Sequence, residues 1–232
     1  MINVDRIYQR VLTLANKEQR GYITPQEFNI FANQAQMDIF EQYFYDLNQF
    51  RRTPGNDTVH ADMVDILEEK ISIFEISVPS NVALDNTTSL SLLPRFYRLT
   101  SIREGNISFE SVSKKDFRLF QLSPLTQPTE QRPVFMVDRV NNVVELLGRT
   151  PGMVTVDYIA SPRQVNWTYV VVQGKALYNA TATDAQDFEL HPSEETELVL
   201  KILTLAGFTL KDPSLYQASA GEDIKNIQQE KQ

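Results

Sequence analysis

The sequence predicts an α+β subunit: an N-terminal helical hairpin, a central, mostly antiparallel β region, C-terminal helices packing on the N-terminal helices, and a polar tail. Three observations predict it. Residues 25–50 repeat apolar side chains at three- and four-residue spacing, residues 71–78 alternate with period two, and residues 198–206 return to helical spacing. The expected divisions are a helical region over 1–70, a β-rich region over 71–182, a helix over 183–211 returning to the helical layer, and an extended or helical docking tail over 212–232.

The first helix is read from Ile7, Tyr8, Val11, Leu12 and Ala15, with Asn3 available to cap it. Thr24-Pro25-Gln26-Glu27 starts the second. Thr24 caps, Pro25 suits the first helical position, and Glu27 completes a capping box. Phe28, Phe31, Ala35, Ile39, Tyr43, Leu47 and Phe50 then mark one face of a helix of about 25 residues. Pro54-Gly55-Asn56-Asp57 stops it, and a short helix follows over 59–70.

Residues 71–78 read as a half-buried strand ending at Pro79. Strands over 96–102 and 107–112 flank a turn at Arg103-Glu104-Gly105-Asn106, and Ser113 caps a helical stretch through Leu119. Strands over 134–140 and 143–147 flank Asn141-Asn142, and 154–159 and 167–172 complete the set. Near the end, His191-Pro192-Ser193-Glu194-Glu195 places carboxylates at a helix start, where the dipole favours Glu194, Glu195 and Glu197. Leu198, Val199, Ile202, Leu203 and Ala206 form its apolar face, and Gly207 is the expected stop. Asp212-Pro213 suggests another start, and the polar stretch beyond Ala218 has almost no apolar residue to bury.

Composition narrows the chemistry. The 232 residues carry a net charge of −8, against a sequence-independent DNA clamp working through neutralised phosphates. Residues 54–94 set Lys70 against seven acids, and residues 95–140 are net basic, an arrangement suited to packing between neighbouring copies. There is no cysteine, which excludes disulfides, thiolate metal sites and cysteine nucleophiles, and only His60 and His191 are available as histidine ligands. The first residues lack the apolar core of a signal peptide, and no apolar stretch approaches the roughly 18–20 residues that span a bilayer. Cytosolic synthesis without a membrane partner is the expectation.

The sharpest local motif runs from Asn16 to Glu27 and follows the ligand spacing of an EF-hand loop, with Asn16, Glu18, the Tyr22 carbonyl and Glu27 at ligand positions and Gly21 at the turn. Asn16 stands where an aspartate belongs and Arg20 puts a cation at another ligand position, so the preferred reading is a helix–turn–helix with Glu27 serving the capping box. Asp62, Asp65, Glu68 and Glu69 lie at helical spacing on a short polar helix and read as a solvated face. There is no Gly-x-Ser-x-Gly elbow, no Gly-x-Gly-x-x-Gly, and Gly174-Lys175 lacks the rest of a phosphate loop. No cofactor and no catalytic residue are expected. Tyr43, Phe44, Tyr45 and Phe50 spread over more than one side of the long helix, as expected of a helix that is either central to a core, the default for any one ring, or shared with a neighbouring subunit, the reading favoured by the polar tail.

Two stretches resemble a known group. Residues 7–29 are one. Pro162-Arg163-Gln164-Val165-Asn166-Trp167-Thr168-Tyr169, followed by Asp187-Phe188-Glu189-Leu190-His191-Pro192-Ser193-Glu194-Glu195-Thr196-Glu197-Leu198 and Lys211-Asp212-Pro213, is the other. Together they are similar to virion structural proteins of tailed bacteriophages, and most similar to neck components, the head-to-tail connector or adaptor proteins. The resemblance covers about a third of the chain and implies a non-enzymatic virion subunit in a homo-oligomeric ring, commonly a dodecamer, between portal and tail. Its partners would be the portal protein, tail or further neck proteins, and DNA passing without sequence-specific contact. The expected interface residues are Tyr43, Phe44, Tyr45 and Phe50 toward neighbours and Asp212, Pro213, Leu215 and Tyr216 toward the portal. The alternatives are another virion role, as a tail-completion or capsid-associated protein, and a calcium-dependent helix–loop–helix binding module.

Overall fold

The computed structural model describes residues 1–17, 23–52, 58–83, 87–89, 93–149 and 153–209. In chain order these form α1 (Val4–Lys17), α2 (Pro25–Arg52), α3 (Thr58–Ser72), β1 (Glu75–Ala83), β2 (Thr87–Ser89), β3 (Phe96–Glu104), β4 (Ile107–Ser108), β5 (Glu110–Ser111) and α4 (Lys114–Leu122). Then follow β6 (Val134–Asp138), β7 (Val143–Leu147), β8 (Met153–Ala160), β9 (Tyr169–Val172), β10 (Lys175–Tyr178) and α5 (Glu195–Thr209). The fold is α+β, with two compact units: Met1–Ile73 with Pro162–Gln232, and Phe74–Ser161. The expected β-rich region over 71–182 follows a different line, because 162–182 belong with the helices.

Local chemistry accounts for the helix ends. The Arg6 N–H donates to Asn3 Oδ1 at 3.0 Å and opens α1. At α2 the Thr24 N–H donates to Glu27 Oε2 at 2.9 Å and the Glu27 N–H donates back to Thr24 Oγ1 at 3.3 Å, the reciprocal capping box. The buried face of α2 is Phe28, Ala32, Ala35, Ile39, Phe40 and Tyr43. Leu198, Val199, Ile202, Leu203 and Ala206 of α5 are buried, and α5 packs on α1 and α2. Gly207 does not end that helix. It is buried inside α5, which continues to Thr209, so packing outweighs the roughly 1 kcal/mol that an interior glycine costs.

The β unit holds two sheets, ordered β1-β8-β3-β4 and β2-β7-β6-β5. Ile102, Val154, Val156 and Tyr158 from the first meet Phe135, Val144 and Leu146 from the second in one core. The strand expected over 107–112 breaks at Phe109. Its ring is buried and its N–H returns to the Ile102 carbonyl, so β4 pairs with β3 whereas β5 pairs in parallel with β6 of the other sheet. That pair departs from the antiparallel rule, and α4, capped by the Ser113 hydroxyl, makes the connection. The strand expected over 134–140 ends at Asp138. The Asp138 carboxylate accepts from the Val140 N–H, the Asn141 side-chain amide and Lys114 Nζ, and this closes the turn.

Candidate interaction surfaces

In the helical unit, residues 163–167 run along α2 without joining a sheet, although 167–172 reads as one strand by pattern. Asn29, Asn33 and Gln36, on one face of α2, supply the partners a neighbouring strand would. The Trp167 N–H donates to Asn29 Oδ1 at 2.8 Å, and Asn29 Nδ2 donates to the Trp167 carbonyl at 3.3 Å. Asn33 repeats the exchange at Val165, accepting from its N–H at 2.7 Å and donating to its carbonyl at 2.9 Å. Gln36 Nε2 donates to the Arg163 carbonyl, and Gln36 Oε1 accepts from the Glu189 N–H. Three amides thus satisfy one edge of this extended segment, while on its other edge the Asn166 backbone exchanges two hydrogen bonds with Gln186.

This ladder places the Trp167 ring against Tyr8, with centroids 4.1 Å apart, and its indole N–H donates to Asp5 Oδ1 at 2.9 Å. Tyr8 meets Phe28 edge-on. Asp187 Oδ1 accepts from the Val4 N–H, Ile2 bridges to Phe188, and Glu195 accepts from both Arg6 and Arg10. Residues 2–28, 163–169 and 187–195, far apart in the chain, are thus tied together by these contacts, and residues 211–213 lie outside the described residues.

On the outer side of Trp167 the rings of Tyr169 and Tyr178 lie nearly parallel to it, each at 5.8 Å. Burial, with the carboxylates of Asp187 and Asp5, pushes the Tyr178 hydroxyl above its ordinary pKa. From this base β9 and β10 form a two-stranded ribbon, paired from Tyr169↔Tyr178 to Val172↔Lys175. Gln173 and Gly174 take positive φ, 50° and 77°, as a two-residue turn requires. All four β9 residues are exposed, Val171 at 66%, and Leu177 on β10 at 50%. The ribbon is an apolar arm, and among the described residues the sheet holds no third strand. Sequence reasoning missed β10; the signal was Gln-Gly between Tyr-Val-Val-Val and Lys-Ala-Leu-Tyr.

The residues expected at an interface divide. Tyr43 is only 4% exposed, with Lys70 Nζ 5.7 Å from its ring centre, so it belongs to the core and is closed to a partner. Phe44 is half-buried edge-on to Phe40, Phe50 is half-buried, and Tyr45 is exposed. Asp212, Pro213, Leu215 and Tyr216 lie outside the described residues.

The carboxylates near α5 do more than favour a dipole. Glu194 is buried and 2.6 Å from Lys70, and Glu195 joins α5 to α1 through Arg6 and Arg10. His191 Nδ1 accepts from the Ser193 N–H, a capping role. The side chains of His60 and Asp62 lie outside the described residues. Of the calcium-loop residues, Glu18 and Tyr22 are also outside them, Asn16 lies in the last turn of α1, and Glu27 is engaged by the Thr24 N–H and hydroxyl, which hold it below the usual carboxylate range.

Among the described residues no three His, Asp or Glu side chains gather as a metal site, and no helix is long and apolar enough to cross a membrane. Two β-unit carboxylates also titrate low. Burial raises Asp157, but hydroxyls of Ser101 and Ser77 at 2.6 Å and the Arg103 guanidinium overcome it. Lys114 leads the groups that lower Asp138. Both act as fixed ionised braces of the sheets. No model of a known protein family matches the chain, and no curated protein matches it.

Proposed function

We propose that this chain is a non-enzymatic structural subunit of a phage neck, assembling into a homo-oligomeric ring, a dodecamer, between portal and tail, through which the genome passes. The observation that carries the reading is the β9–β10 arm. An isolated two-stranded ribbon is marginal in water, and this one exposes Val170, Val171, Val172 and Leu177. Such an arm, stiffened at its base by three stacked rings, suits insertion into a neighbouring subunit. The family resemblance adds support by analogy. In this reading residues 212–232 carry the portal contact, the virion is the site of action, and the host cytoplasm is the site of synthesis.

Image reconstruction and mass spectrometry of the particle whose genome encodes the chain test the proposal. The expected result is a ring of this chain beneath the portal. Its absence from purified particles refutes a virion role, and its presence only in the tail or capsid lattice favours the other structural roles.

A further inference from the structure

We propose that α4 of one copy docks on α3 of a second copy. Each helix presents an exposed face that carries both apolar and charged side chains, and the charges of the two faces are opposite. On α4, Phe117 points inward and is buried, whereas Lys115, Arg118, Leu119 and Leu122 share the outward face, with Leu122 at 81% exposure. On α3, Leu67 and Ile71 are buried, whereas Asp65, Ile66 and Glu69 face outward, followed by exposed Ile73 just past the helix end.

Among the described residues, Lys115, Arg118, Asp65 and Glu69 make no ion pair within the chain, unlike neighbouring Lys114 and Glu68, which pair with Asp138 and Arg51. These four charges therefore match in number and sign across the two faces. Lys115 and Arg118 are one turn apart, as are Asp65 and Glu69, so both pairs can meet while two leucines cover two isoleucines. Net charge favours the same partner. Residues 74–161, which hold α4, carry nine bases and nine acids, and the whole surplus of −8 lies in the helical unit that holds α3.

Because the two faces are different surfaces of one chain, the contact is head-to-tail and propagates into a ring or a filament. The inference rests on the neck reading only for ring closure. A second copy is favoured over a foreign protein because the chain itself supplies both complementary halves.

Two charge-reversed full-length variants test the contact: Lys115→Glu/Arg118→Glu and Asp65→Lys/Glu69→Arg. In the first, both faces are acidic; in the second, both are basic. Each alone should self-associate roughly a hundredfold more weakly than the natural chain, since like charges then face each other. Mixed one to one, they should assemble again in alternation, and an even-numbered ring can close that way. Sedimentation velocity and native mass spectrometry read the masses, and far-ultraviolet circular dichroism confirms folding. Association of the natural chain should also weaken as salt is raised. A natural chain that stays monomeric at its highest soluble concentration, either variant assembling as the natural chain does, a folded mixture that fails to recover, or salt-independent association would each overturn the proposal. None of these outcomes bears on whether the chain is present in the particle, which tests the neck reading separately.

Discussion

Replacing Asn33 by alanine removes the middle rung of the amide ladder between α2 and residues 163–167. The substitution leaves the Val165 N–H and carbonyl, now bonded at 2.7 and 2.9 Å, without their side-chain partners beside a valine that is 2% exposed. The two bonds lost to Val165 cost about 1–3 kcal/mol in net terms, and incomplete access of water to the vacated groups raises this by about 1–2 kcal/mol, whereas the third lost bond, from Asn33 Nδ2 to the Asn29 carbonyl, is local to α2. Alanine returns at most about 0.7 kcal/mol through its better helix propensity. The expected loss is about 2–4 kcal/mol. Asn33→Asp separates hydrogen bonding from shape. It keeps the acceptor for the Val165 N–H but turns an oxygen toward the Val165 carbonyl, so it should cost as much as alanine.

Urea unfolding followed by the emission of Trp167, the chain's one tryptophan, reports on this unit directly. The midpoint should fall with the slope unchanged. A loss below about 0.5 kcal/mol for alanine, or an aspartate variant as stable as the natural chain, would refute the claim that the amides substitute for a strand.

Three further outcomes follow from the same geometry. Lys70→Ala should destabilise the helical unit by about 3–5 kcal/mol, because Glu194, 5% exposed, loses the partner that offsets its burial; the double variant Lys70→Met/Glu194→Leu should lose less, as a double-mutant cycle in urea would show. Asp157 and Asp138 are held below their unfolded pKa, so their stabilisation is complete above about pH 4 and fades as pH falls through their folded values; Asp157→Asn should flatten the acid limb of β-unit stability measured by circular dichroism. Gly148→Ala should lower the melting temperature of the β unit, since φ is 97° there and a Cβ would come within 2.8 Å of Pro128 Cβ; an unchanged melting temperature would contradict that geometry.

Legibility followed the range of the interactions. The Asn3 cap, the Thr24–Glu27 box and the Ser113 cap are each settled within four residues, and all stand where the pattern placed them. The turn at Gly105-Asn106 is equally local. Phe109 was not readable as a pivot, because whether residues 110–111 continue beside β3 or cross to β6 depends on which core takes the ring. Tyr43 shows the same limit for the candidate surface. Its helical position puts it on the stripe of Phe28, Ala35 and Ile39, but only the packed structure shows that this stripe is closed at Tyr43, with Lys70 of α3 over its ring, while Tyr45 two residues on remains exposed.

The chain by itself determined its classes of element, the capped starts of its helices and the chemistries closed to it, since caps, periodicity and the absence of cysteine are properties of neighbouring residues or of composition. Only the tertiary structure decided that Asn29, Asn33 and Gln36 would stand in for a strand, that 162–182 would join the helices, and that β9 and β10 would be left as an exposed apolar arm. Those outcomes depend on which distant backbone groups find partners away from water, and no local pattern encodes that.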